Sequence, residues 1–109
     1  MTNLFQIEPN PTFLFPVPLP VPGGVPVEVM FRFRHMDTDA FYDMLNESRA
    51  KGESAAEFLA RFIDGWEGEQ INAPFSLEAL GKLVKNYPKA AKAIFKAFEA
   101  ELIGALEKN

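Results

Sequence analysis

The stretch from Pro11 to Arg34 reads PTFLFPVPLPVPGGVPVEVMFRFR, two runs of alternation that meet at a Pro-Gly-Gly break. In the first run Phe13, Phe15, Val17, Leu19 and Val21 take the odd positions, with Leu14, Pro16, Pro18 and Pro20 between them. A period of two is the mark of a strand, whose successive side chains point to opposite faces. Proline has no N–H to offer a neighbour, so prolines at alternate positions place this strand at the margin of a sheet. Pro22-Gly23-Gly24 reads as a reversal, because proline presets φ and glycine accepts the positive φ that a turn back usually needs. The returning run sets Val25, Val27, Val29, Phe31 and Phe33 on one face and Pro26, Glu28, Met30, Arg32 and Arg34 on the other, one face core and one wet.

Beyond His35 the period changes to that of helices. Asp37 or Thr38 is placed to cap a helix carrying Phe41, Met44, Leu45 and Ser48 at i, i+3, i+4 and i+7. Gly52-Glu53-Ser54 interrupts it, and Ser54 is placed to cap a second helix through Phe58, Leu59, Phe62, Ile63 and Trp66 that stops near Gly65 or Gly68. Ser76 starts a third, striped by Leu77, Leu80, Leu83 and Val84, and Pro88 suits the first turn of a fourth, ridged by Ile94, Phe98, Leu102 and Leu106. The expectation is an α+β fold: a small antiparallel sheet or hairpin at the N-terminus followed by about four helices. One domain over residues 1–109 is expected, with a hairpin region at 1–35 and a helical region at 37–109.

Composition narrows the function. The 109 residues are 48% hydrophobic and include 11 Phe, enough for a sizeable core. Eleven Lys and Arg against 15 Asp and Glu give a formal charge of −4, a poor footprint for counterion-releasing nucleic-acid binding. With no Cys there is no disulfide framework, thiolate zinc site or thiol nucleophile. Met1 to Glu8 lacks the basic and unbroken apolar regions of a signal peptide, and no run approaches a bilayer span. A cytoplasmic protein without membrane or nucleic-acid partners is expected.

Candidate chemistry is thin. His35, Asp37 and Asp39 form H-x-D-x-D, but carboxylates at a strand-to-helix junction are better explained as caps, and no second His or Cys completes a metal site. Ser54 and Ser76 also read as caps, and neither they nor Ser48 sits in a nucleophile elbow. Glu67 and Glu69 flank Gly68 in what reads as a solvated turn. Gly23-Gly24 precedes a strand rather than a helix, which excludes a phosphate cradle. Arg32 and Arg34 alternate away from Phe31 and Phe33, as on a solvated face with ion pairs to Glu28 or neighbours. Trp66, between two glycines, is expected to plug a gap while its N–H finds a partner. No catalytic residue, metal or cofactor is expected, and a protein-binding module is what remains.

Several of these pieces resemble, in order and spacing, the tail assembly chaperones of long-tailed bacteriophages. They are the alternating strand into Val21-Pro22-Gly23-Gly24, the return through Phe33-Arg34-His35, Gly65-Trp66-Glu67-Gly68, Pro74-Phe75-Ser76 with Glu78 and Leu80, Asn86-Tyr87-Pro88, and Ala105 with Lys108-Asn109. The resemblance spans almost the whole chain. It implies a non-enzymatic protein of phage or prophage origin that associates with the tape measure protein, helps bring tail tube protein to it in the host cytoplasm, and is absent from the mature virion. It also implies that a frameshift-extended form of the chain, with an extra domain beyond Asn109, is a partner to look for. The motif residues then have structural roles: a turn at Gly23 and Gly24, a plug at Trp66, a helix start at Pro88. A minor tail or head completion protein, or another small protein-binding module, is the alternative.

For the working surface, helical angles on the last helix put Ile103 outside the arc of Ile94, Phe95, Phe98, Leu102 and Leu106, on the side of Lys92, Lys96 and Glu99. An apolar knob rimmed by Lys96 and Glu99 is the expected protein-binding site, for a partner helix or a second copy in a homo-oligomer. Because of its prolines, the free edge of the first strand is expected to resist further strand pairing.

Overall fold

The computed structural model describes residues 4–104. Strand β1 (Thr12–Leu19) pairs antiparallel with β2 (Val27–Arg34), Thr12 opposite Arg34 and Leu19 opposite Val27. Helices α1 (Thr38–Lys51) and α2 (Ala55–Ala60) follow, then a third strand, β3 (Ile63–Glu67), then α3 (Leu77–Asn86) and α4 (Pro88–Leu102). The sheet order is β1-β2-β3. The fold is α+β, a small antiparallel sheet built on the N-terminal hairpin with four helices after it in the chain.

The prolines of β1 lie where a missing donor costs the sheet nothing. His35 N–H donates to Pro11 O at 2.8 Å, which makes 11 and 35 a hydrogen-bonded pair and, by alternation, gives the odd residues of β1 the bonds to β2. Pro16 and Pro18 therefore turn their N-atom side to the free edge. The same parity directs the N–H of Arg34 outward from β2 to Phe62 O, 2.8 Å away, where β3 begins.

The third strand corrects the helix expected through Trp66. Helix α2 ends at Ala60, and Phe62 and Ile63 swing out to cover the open edge of β2. The register slips once: Phe33 opposes Ile63, but Arg32 opposes Gly65, leaving Asp64 as the extra residue of a bulge. That residue reverses the alternation, so Ile63 and Trp66, three apart, both face the core. The hairpin connection is also longer than a tight turn. Only Val21 to Gly24 reverses, with Gly23 at φ 75° and Gly24 N–H donating to Val21 O at 2.9 Å, and Val25 stands exposed in the loop.

Helix ends follow the local chemistry. Asp37 caps α1 through Ala40 N–H, Ser54 and Glu57 form a reciprocal capping box on α2, and Ser76 caps α3 through Ala79 N–H. Gly52, at φ 62°, ends α1 with bonds from Gly52 and Glu53 back to Arg49 and Ser48. Pro88 occupies the first turn of α4.

The core is a phenylalanine cluster centred on Phe98 of α4. Its ring stacks on Phe62 at 4.4 Å between centroids and lies 5.3 Å from Phe33, 6.1 Å from Phe41 and 6.3 Å from Phe13. One side chain thus joins β1, β2, α1 and the α2–β3 link. On the outer sheet face, Arg32 pairs with Glu67 and Asp64, and Arg34 with Asp64 at 3.0 Å. The partners of the two arginines are on β3 rather than at Glu28. Gly65 lies beneath them; a Cβ there would meet Arg32 Nη1 at 2.9 Å, the end of a flexible side chain that would have to shift.

Candidate partner-binding groove

An open groove of about 800 Å³ lies between the distal end of the β1–β2 hairpin and α3. Leu19, Val27 and Val29 form one wall, Ile71 and Phe75 of the β3–α3 loop and Leu83 of α3 the other, with Trp66 between them and Tyr87 at one end. Charge stays at the margin, where Glu78 and Lys82 lie one helical turn apart on α3 with 4.0 Å between their charged atoms.

Trp66 holds the loop wall in place. Its Nε1–H donates to Ala73 O at 2.7 Å, and its ring meets Phe75 edge-on at 5.0 Å and Phe31 edge-on at 5.9 Å. It is only 9% exposed, so it acts as a plug. Its support is a β-bulge and a loop rather than a helix end. Val27 and Tyr87, both lining the groove, are more than a third exposed, leaving apolar surface that the described chain does not cover.

The residues that the sequence marks as candidates scatter around this feature. Trp66 is in the groove, and Pro88 sets α4 immediately after Tyr87. Gly23 and Gly24 shape the hairpin tip beyond the groove. Lys96, exposed, and Glu99, half-buried, are on α4 and do not line it. Ile103 requires a correction: it is half-buried and packs against the core. Ile103 follows α4 as its C-cap at φ −107°, its N–H still donating to Glu99 O at 2.8 Å, before Gly104 turns at φ 96°; a place outside the arc of the helix's core ridge therefore does not leave it exposed. Leu106, Ala105, Lys108 and Asn109 lie outside the described residues.

Sequence reasoning does not mark Ile71, Phe75, Leu83 and Tyr87 as a surface. Ile71, the one large apolar residue between Glu67 and Ala73, is the signal that points toward it. Elsewhere polar groups are taken up by structure. Asp37, Ser54 and Ser76 cap helices. Arg61 binds Glu53 through two bonds of 2.7 and 3.0 Å and Glu47 through one of 2.9 Å. The bonds from Arg61 and then from Ser48 hold the Glu53 carboxyl below its usual range. Among the described residues, no group of three His, Asp or Glu is placed to hold a metal, and no helix is long and apolar enough to cross a membrane.

No curated protein and no solved structure matches the chain at a significant level. The family model for phage tail assembly chaperones matches residues 1–109, the whole chain. The chain belongs to the phage tail assembly chaperone family.

Proposed function

We propose that the chain serves tail assembly by holding the tape measure protein through the groove between the hairpin and α3, without catalysing a reaction. The observation that carries this reading, beside the family, is a groove lined largely by apolar residues, with Val27 and Tyr87 well exposed in it and Glu78 and Lys82 its charged lining residues. An amphipathic helix lays an apolar stripe into such a groove and keeps its polar face in water, and the long, largely helical tape measure protein supplies many such stripes. Tail tube protein would then be delivered to a soluble tape measure in the host cytoplasm, the chaperone leaving before the virion is complete. A frameshift-extended form of the chain would carry the same groove.

Co-expression tests it. The parent chain is expected to bring tape measure protein into the soluble fraction and to co-purify with it, whereas Leu83→Asp, which puts a carboxylate on the groove wall, loses both. Equal recovery with parent and variant removes the groove from the interface. Presence of the chain in purified particles in stoichiometric amount would favour the alternative of a minor structural protein of the tail or head.

A further inference from the structure

The loop between β3 and α3 is tied to the sheet at one point. Among the described residues no backbone hydrogen bond joins residues 69–75 to a strand or a helix. The bond that ties the loop is the one from Trp66 Nε1–H to Ala73 O, at 2.7 Å. Apolar packing supplies the remainder, through half-buried Ile71 and through Phe75, whose ring meets Trp66 edge-on at 5.0 Å. The loop also borders two open spaces. Ile71, Asn72, Ala73 and Pro74 line the groove, and with Trp66 they line a second, smaller hollow of about 360 Å³ that reaches Glu67 and Gly68. None of the rings packed round Phe98 lies in the loop, so the loop is able to leave its place without unpacking the core.

We propose that residues 69–74 are a strap that opens as one unit when the Trp66–Ala73 hydrogen bond breaks, widening the groove into the smaller hollow while the sheet and helices stay folded. Its use, admitting a partner's side chain beside Trp66, rests on the reading of the groove given above; the motion itself does not. The energetics favour a local event. One neutral hydrogen bond weights the closed state by a factor of about ten, and the half-buried contact of Ile71 by about ten more. The strap should therefore stand open in roughly one molecule in a hundred, whereas unfolding constants of small domains run from about 10³ to 10⁸. Segments with such thin attachment open separately from the core that carries them.

Hydrogen exchange followed by NMR reads the latch directly. Trp66 is the single tryptophan of the chain, so its indole proton gives one signal and reports the bond to Ala73. In the parent chain that proton should be protected at least about tenfold less than the amides of Phe31 and Phe33, which bond β1 within the sheet, each measured against its own unprotected rate. Low concentrations of urea should leave indole exchange unchanged while speeding exchange of the two amides, because strap opening exposes little surface and unfolding exposes much. Ile71→Ala should speed indole exchange by about tenfold, since Ile71 makes no bond to the indole and affects it only if the strap moves as a unit.

An indole proton as strongly protected as the two amides, with the same dependence on urea, overturns the proposal, because the bond then breaks only when the whole chain unfolds. Indole exchange that is the same in Ile71→Ala and the parent also overturns it, because the ring then loses its bond without the strap. None of these measurements contains tape measure protein, so the strap and the binding of tape measure protein fail or succeed separately.

Discussion

Truncating Phe98 to alanine tests the core at the point where most elements depend on one side chain. Phe98 is fully buried, and four aromatic rings from β1, β2, α1 and the α2–β3 link lie within 6.3 Å of its centroid. Removing a buried phenyl ring costs about 3 to 5 kcal/mol, through lost transfer energy and the cavity left behind. The upper end applies here, because the surrounding rings belong to elements tied by sheet hydrogen bonds and helix caps and cannot all collapse inward. A domain of this size has about 5 to 15 kcal/mol in total, so the variant should retain little margin. At about 4 to 8 °C per kcal/mol near the midpoint, the melting temperature falls by at least about 12 °C. Urea unfolding followed in parallel by far-UV circular dichroism and Trp66 emission gives the energy and checks that one transition is observed. Phe98→Leu, which keeps most of the volume, should cost markedly less. A loss below about 1 kcal/mol for Phe98→Ala, the level of an average substitution, would refute the placement of Phe98 at the centre of the core.

Trp66→Ala should cost about 3 to 5 kcal/mol, and Trp66→Phe about 1 to 3 kcal/mol, because it keeps an aromatic ring but leaves the Ala73 carbonyl without its donor; equal melting of parent and Trp66→Phe would show that this bond does not secure the loop. Glu53 has a depressed carboxyl, so its pairing with Arg61 stabilises fully above the ordinary value near 4.5 and is lost as pH falls through the lowered one. Glu53→Gln should therefore be destabilised at neutral pH and converge on the parent in acid; a gap between the two that is unchanged across that range would refute the pairing. Ile103→Lys, expected from helical angles to be neutral, should instead lower stability by about 1 to 2 kcal/mol, since Ile103 packs against the core. Replacing Pro16 and Pro18 by threonine restores two N–H donors to the free edge of β1 and should raise light scattering on concentration; unchanged scattering would mean that the edge is protected by something other than its prolines.

The hairpin and the helix starts were legible because each is fixed by neighbours in sequence. Prolines at alternate positions prescribe an edge strand wherever it packs, and Asp37, Ser54 and Ser76 cap helices through residues three positions away. β3 was not legible, and Ile63 with Trp66 shows why. Three apart, they match one face of a helix, and the same spacing faces one way in a strand when a bulge inserts one residue between them. The two readings have one apolar pattern. What separates them is the open edge of β2, some thirty residues earlier, whose Arg34 N–H needs the acceptor that Phe62 provides. Pairing with β2 and burial of Ile63 and Trp66 replace the nearly two further helical turns that residues 61–66 would have made, turns already weakened by Gly65.

The groove eludes sequence reasoning for a related reason, and Ile103 shows the converse error. No local pattern joins Val27, Ile71 and Tyr87; they meet only because Trp66, turned inward by the bulge at Asp64, draws the β3–α3 loop against the sheet through Ala73. The chain of cause runs from one extra residue in a strand, to the orientation of one indole, to a loop held open beside α3. The angle that sets Ile103 apart considers α4 alone, whereas the side chain lies half-buried against the core. A surface for protein partners is therefore best sought in this fold where an inward-turned residue leaves apolar neighbours without cover, rather than where a helical wheel leaves one residue over.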